Sequence, residues 1–267
     1  MTKAAPQVPA THTEPTTVAK AVVVGLIAGV LSGLFGIGGG TVIVPGLVMV
    51  AGLGQRLAHG TSLAAIVPIA LSGLGGFALD GRVDWPVALL LVIGATSGAR
   101  LGTELLHRVS QHRLRMGFAA LLLGTAMRLV TDVPDPGGRL GLDVAAAAGL
   151  LVVGVVAGTL AGLLGVGGGV VMVPAQVLLF GIPDAIAKGT SLAVIIPTAV
   201  VGTRRNVVNG NADLRLAAIV GLSGVVSAFL ASRVAVGLEP TVSSVLFALL
   251  LSLVSLRMLL ELRSDED

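Results

Sequence analysis

GVLSGLFGIGGGTVIVP at residues 29–45 and GTLAGLLGVGGGVVMVP at residues 158–174 are one motif written twice. Adding 129 to a residue number in the first copy gives its partner in the second, with no gap. The register persists outward: GTSLAAIVP at 60–68 lies on GTSLAVIIP at 189–197, and Asp84 lies on Asp213. About half of the forty positions from Gly29 to Pro68 are identical to their partners, more than shared composition produces. A fixed internal register marks a duplicated structural unit, so the chain reads as two homologous halves in tandem.

The medium around the motif is apolar. The 267 residues are 54% hydrophobic and 12% charged, with a mean hydropathy of +0.98, whereas a soluble domain carries roughly 25% charged residues. Apolar runs fall at about 18–35, 41–53, 57–79, 85–106 and 114–130, and again at 144–164, 170–180, 186–202, 214–231 and 242–260. Most have the roughly 17–25 residues that a spanning helix needs, but those opening at Thr41 and Val170 are short. Glycine is abundant, at 38 residues, and aromatics supply 3%, a balance that favours close backbone approach between membrane helices. The expected fold is an all-α integral membrane protein of two inverted-topology repeats. Each repeat has about five helical segments, with short or broken helices at the repeat interface. Residues 1–17 read as a polar, disordered tail, 18–130 and 144–261 as the transmembrane repeats, 131–143 as a linker containing PDPGG, and 262–267 as a C-terminal tail.

Loop charges orient the halves, because short cytoplasmic loops prefer Lys and Arg. The loop after the fourth segment of the first half is basic (His107, Arg108, His112, Arg113, Arg115), while its partner from Gly237 to Ser244 has no positive charge. The loop after the third segment reverses this, with Asp80, Arg82 and Asp84 in the first half against Arg204 and Arg205 in the second. The halves therefore read as inverted relative to each other, with both termini cytoplasmic, a recurring transporter plan. The net charge of +3 and pI near 10.2 come from these loops and form no stripe, so nucleic acid is not expected as a partner. The chain has no cysteine, which removes disulfides and thiolate chemistry. Acids are nearly absent from the apolar runs, which disfavours a metal or cation pathway. No cofactor and no catalytic residue are expected.

Contiguous glycines at Gly38, Gly39 and Gly40, and at Gly167, Gly168 and Gly169, interrupt apolar runs where a helix would otherwise continue. Each costs about 1 kcal/mol against alanine in a helix, so the backbone is expected to unwind there. Such backbone is tolerated at membrane depth only against protein or a wet cavity. Each run ends where a short helix starts, at Thr41 or Val170, whose first amides lack intrahelical partners and attract anions. Gly60, Thr61 and Ser62, with Gly189, Thr190 and Ser191, open the third segments and add hydroxyl donors. Inversion would bring both glycine runs and both GTS motifs together, with four helix N-termini around one cavity. The opposing readings are structural: the glycines let helices touch, and the hydroxyls cap a helix or bond the preceding turn. Gly25, Gly29 and Gly33, with Gly154, Gly158 and Gly162, have the four-residue spacing of a packing face. Pro45 and Pro174 read as bending or starting the short helices. His59 and Lys188 precede the GTS motifs and lie either deep or in loops. Arg100 stands four before Glu104, as a local pair, a snorkelling arginine near the interface or a gate, and Gln176, the one amide within a short helix, is a candidate for lining the path.

GLFGIGGGTVIVP, then GTSLAAIVP and DGRVDW, then the same order again, resembles the TauE/SafE sulfite exporter family, also called the toluene sulfonate uptake permease family. The resemblance covers about residues 20–260. It implies a prokaryotic inner-membrane carrier of small sulfur-containing or organic anions such as sulfite, sulfonates or sulfoacetate, with export the commoner direction. The sequence departs from the family pattern at Leu214, the partner of Trp85, and at His59 and Lys188, where small or apolar residues are usual.

The expectation is thus a secondary transporter whose partners are a small anion and membrane lipid; a homodimer and proton coupling stay open. A channel-like anion pore shares every motif with the carrier. A membrane-embedded hydrolase using Ser32 or Ser72 would need a histidine base, and of His12, His59, His107 and His112 only His59 is placed to lie deep. GIGGG lacks the GxGxxG spacing of a dinucleotide site.

Overall fold

Helix bounds repeat the sequence register. The computed structural model describes residues 15–105, 111–131, 142–164 and 168–264, with positions 100–105, 111–115, 118, 130, 162–164, 258 and 261–264 placed by backbone alone. Ten helices occupy the described residues: α1 (Pro15–Phe35), α2 (Gly40–Ala51), α3 (Gln55–Leu79), α4 (Trp85–Leu105), α5 (Gln111–Thr131), α6 (Val144–Leu164), α7 (Gly169–Phe180), α8 (Asp184–Val208), α9 (Leu214–Gly237) and α10 (Pro240–Ser264). Every helix of the second set starts 129 residues after its counterpart.

Several bounds extend past the apolar runs. α1 starts at Pro15, inside the expected tail, and α10 continues to Ser264. α8 runs on through Arg204 and Arg205, which are exposed on its last turns. A hydropathy run marks the lipid-facing part of a helix, and polar residues continue the helix at either end without penalty. The tail at 1–14, the linker at 132–141 and residues 265–267 lie outside the described residues.

Six of the helices are long and apolar enough to cross a membrane: α1, α3, α6, α8, α9 and α10. Large apolar side chains are exposed along their outer faces, among them Ile27 on α1, Leu71 on α3, Val226 on α9 and Leu253 on α10. Water would leave such faces unpaired, whereas hydrocarbon solvates them. The protein is a multi-pass membrane protein.

Packing crosses between the halves. α1 lies along α9, and its repeat counterpart α6 lies along α4. The face at Gly25, Gly29 and Gly33 meets Val220, Gly224 and Ala228 in the same order, so α1 and α9 run parallel. Gly154 and Gly158 meet Leu91 and Ala95 likewise. In each case the absent Cβ admits a neighbouring carbonyl oxygen, the close approach expected of a small-residue face; Gly162 is placed by backbone alone. By contrast, the counterparts α3 and α8 run antiparallel, with Gly73 against Leu192, Phe77 against Gly189 and Leu63 against Gly202. Antiparallel counterparts are consistent with inverted repeats.

Two buried cores result, and neither is a sequence half. One gathers residues of α1, α2, α3 and α9 with Leu192, Ile195 and Ala199 of α8. The other gathers α4, α5, α6, α7 and α10 with Ala187 and Val194 of α8, and with Phe35 and Ile37. The fourth helix of each repeat has crossed to the other, and α5 has joined α10 in the second of these cores.

A Gly158→Val variant drives its side chain into the Ala95 carbonyl. It is expected to lose about 1–3 kcal/mol, the usual range for overpacking. Gly124→Ala, on an open face of α5, is expected to be neutral or to gain up to about 1 kcal/mol. Thermal unfolding in detergent checks both, and equal melting temperatures for the two variants would contradict this packing.

Candidate functional site

The first break begins where α1 stops. Gly36, Gly38 and Gly39 have φ of 69°, 78° and 76°, a left-handed backbone open to glycine and strained for other residues. A Cβ at Gly36 would lie 2.7 Å from the Lys188 Cα, and one at Gly39 would lie 2.7 Å from the Ala28 carbonyl oxygen. The chain therefore doubles back along α1. Gly46 of α2 faces Val24, so α2 descends antiparallel to α1 from a start level with Ala28. Its 12 residues give about 18 Å of helix, short of the roughly 30 Å of a hydrocarbon core. α7 repeats this with Gly168 against Ala157, although Gly168 is right-handed, with φ −63°. Gly167 lies outside the described residues.

The two breaks meet. A Cβ at Gly169 would lie 2.7 Å from the Gly36 carbonyl oxygen and 2.7 Å from the Ile37 Cα. Gly38 is enclosed by Ile66 and Ile195, which are repeat partners. Gly40 and Gly169 thus open two half-helices in the protein interior, and neither end has a side-chain cap. Their first amides lack intrahelical partners and carry the positive end of the helix dipole. Glycine meets glycine directly at this junction. Val170, buried in the first turn of α7, also borders a cavity of about 360 Å³ between α5 and α7, whose wall includes Thr125, Arg128 and Pro174.

The GTS motifs sit elsewhere than expected. α3 and α8 begin at Gln55 and Asp184, so each GTS lies in the second turn, and two helix N-termini meet at the centre in place of the expected four. Gly60 admits the Asn211 carbonyl and Gly189 admits the Arg82 carbonyl, both inside ordinary contact. The Asp213 N–H donates to Thr61 Oγ1 at 2.9 Å, and the Asp84 N–H donates to Thr190 Oγ1 at 2.9 Å. Each aspartate then caps the next helix, accepting from Leu216 N–H at 3.0 Å or Val87 N–H at 3.2 Å. Glycine and threonine thereby clasp the opposite repeat. The serines are different: Ser62 Oγ and Ser191 Oγ are buried and find no partner among the described residues. Thr41 Oγ1 and Ser32 Oγ share that state. Ser62 stands one turn from Ile66 and Ser191 one turn from Ile195, next to the glycine junction.

The other polar candidates divide. Gln176 is wholly buried; its Nε2 donates to the Met172 carbonyl at 3.1 Å and the Ala187 carbonyl at 3.4 Å, while its Oε1 finds no partner among the described residues. Lys188 is 0% exposed. Its ammonium pairs with Asp184 at 2.7 Å, donates to Ser243 Oγ, and lies 5.7 Å from the centroid of the Phe35 ring. His59, its repeat counterpart, is half-buried. Arg100 is on α4 and placed by backbone alone. Ser72 donates to the Val225 carbonyl at 2.6 Å, a helix-packing role.

The family described as Sulfite exporter TauE/SafE matches residues 2–129 and 150–267. The chain belongs to this family. It is 30% identical over 216 residues to the probable membrane transporter protein YunE of Bacillus subtilis, covering 72% of this chain and 79% of that one. It is 23% identical over 258 residues to the probable membrane transporter protein MJ0441 of Methanocaldococcus jannaschii, covering 90% and 94%. A Xylella fastidiosa relative, also a probable membrane transporter protein, is 29% identical over 180 residues, 64% of this chain and 67% of that one. Family and relatives alike are described as transporters, not enzymes.

Two features were missed in the sequence. The aspartate clasp was signalled by the pairing of Asp84 with Asp213. The lysine cluster was signalled by Asp184 four residues before Lys188, a spacing that faces one side chain to the other. Ser243, 55 residues away, left no signal.

Thr190→Val deletes the acceptor for the buried Asp84 amide, and the expected loss is about 1–3 kcal/mol of stability. Thr190→Ser should retain most of it. Melting curves for the two variants, with Thr61→Val and Thr61→Ser as the symmetric pair, check the clasp; a valine as stable as serine at both positions would dismiss it.

Proposed function

We propose that the chain is a secondary transporter that moves a small oxyanion, of the sulfite, sulfonate or sulfoacetate class, by alternating access, with export its working direction. The observation that carries this is the convergence of two uncapped half-helix N-termini on one interior junction, beside buried Ser62 and Ser191 hydroxyls that find no partner among the described residues. Amide and hydroxyl donors replace the water around an anion without a rigid array of buried cations, and helix N-termini in transporters are used in this way. The site comprises Gly38, Gly39, Gly40 and Thr41 with Gly168, Gly169 and Val170, walled by Ser62 and Ser191. The family description, sulfite exporter, supports the substrate class.

In this reading, the direct contact of Gly36 with Gly169 corresponds to the closed conformation. Binding then requires the two cores to part beside α8, which has residues in both, first toward one face and then the other. The antiparallel course of α3 and α8 supports an inverted topology, in which each break is exposed from the opposite side.

Purified protein in liposomes, offered sulfite, sulfate, sulfoacetate, taurine and simple carboxylates with and without a proton gradient, is expected to show saturable counterflow of at least one anion. Current without trans-stimulation would favour a pore. Ser62→Ala with Ser191→Ala removes no hydrogen bond found among the described residues. It is expected to raise the half-saturating concentration about tenfold or more, the worth of hydrogen bonds to a charged group, with insertion and melting temperature intact. Unchanged uptake in that double variant would take the site away from this junction.

A further inference from the structure

The lysine cluster is the least symmetric feature of a chain that is otherwise built twice. At the positions of Asp184, Lys188 and Ser243 the first half has Gln55, His59 and Leu114. Lys188 has no exposed surface, and an ionised group inside a spanning helix is expensive unless it is paired. Its partner Asp184 is 12% exposed, in the first turn of α8. Ser243 of α10 binds both, accepting from the ammonium and donating to Asp184 Oδ2 at 2.6 Å. The Phe35 ring, stacked on Phe247 with centroids 5.4 Å apart, closes the apolar side.

The position of this pair singles it out. Gly36, at the head of the first break, rests on the Lys188 backbone. Ser191, whose hydroxyl finds no partner among the described residues, lies three residues on, on the same face of α8. Ile195 follows one turn further, against Gly38 and Gly169. Along one helix face, then, an ammonium, an unpartnered hydroxyl and the half-helix junction stand in succession.

We propose that Lys188 is an anion-exchange subsite: an incoming oxyanion takes the place of Asp184 on the ammonium, and Ser191 receives it next on the way to the junction. This rests on the carrier reading and adds to it a named cation, a competitor and a side of access. Asp184 is the built-in stand-in for the substrate. A carboxylate offers the ammonium a negatively charged pair of acceptor oxygens, as a sulfite or sulfonate group does, so the lysine stays compensated in either state. Ser243 holds the displaced carboxylate close by, so the pair reforms when the anion leaves. Because the first half lacks the cluster, the exchange serves one face of the molecule.

Thermal-shift titration of the purified protein with sulfite and with sulfoacetate tests this. Asp184→Asn removes the competitor and is expected to tighten binding of at least one of these anions about tenfold or more, the effect of freeing a charge-assisted donor. Lys188→Gln is expected to weaken it by a similar factor, and Lys188→Arg to retain it. The double variant Asp184→Asn with Lys188→Gln leaves no charge at these two positions, so it serves where the single glutamine leaves Asp184 unpaired and misfolds; it should bind as weakly as Lys188→Gln. A purely structural pair predicts lower melting temperatures throughout and no tightening in Asp184→Asn. That result, or no binding of either anion to Asp184→Asn, or an unchanged constant in the double variant, overturns the proposal. Counterflow judges the carrier reading separately: intact counterflow beside an untightened Asp184→Asn removes only the subsite, whereas tightening without counterflow of any anion removes only the carrier.

Discussion

A peptide group released from a helix in hydrocarbon has no water to bond, and the centre of this molecule is arranged around that constraint. Each helix break is covered by the other repeat. Gly36 rests on the Lys188 backbone, Gly38 lies between Ile66 and Ile195, and Gly169 abuts the Gly36 carbonyl. One half alone would leave its break facing lipid, so the duplication is a condition for having a break at all. The same cover keeps two positive helix ends in the interior, where no side chain caps them.

The cover is held by exchange. α4 packs on α6 and α9 on α1, so each repeat lends its fourth helix to the other's core. The clasps at Gly60–Thr61 and Gly189–Thr190 grip the loops leading into those lent helices. Any motion between the cores must therefore carry α9 with α1 to α3 and α4 with α6 and α7. A cut between the halves in sequence does not correspond to a cut between bodies in space. α8, which crosses its counterpart α3 antiparallel and has residues in both cores, is where the two cores meet.

What the sequence shows clearly is whatever the duplication writes twice. The register of 129, the short helices after the glycines and the four-residue glycine faces are all read by comparing one half with the other, and all recur in the structure. The position of the GTS motifs was misread because Gln55-Arg56 and Asp184, polar residues ahead of the apolar runs, look like loop in a hydropathy trace while continuing as helix. The exchange of α4 and α9 left no trace, because helices apolar on every side carry no period that points to a partner. Lys188 was visible as an outlier in an apolar chain; its burial against Phe35 and Ser243 depends on helices brought together only by the fold.

Departures from symmetry then acquire meaning. Gly39 is left-handed where Gly168 is right-handed, and at the positions of the Asp184–Lys188 pair the first half has Gln55 and His59. A ligand shifts a two-state equilibrium only by the difference in its affinity for the two states. Two identical half-sites would present an anion with the same interactions from either face and give it no such difference. An ammonium that one half possesses and the other lacks supplies one. It does so without fixing direction, since the same free-energy difference that favours loading from one face opposes release there, and net flux still follows the gradients across the bilayer. If the proposed site holds, symmetry in this fold builds the passage, and the broken symmetry around Lys188 sets how unequally its two ends hold an anion.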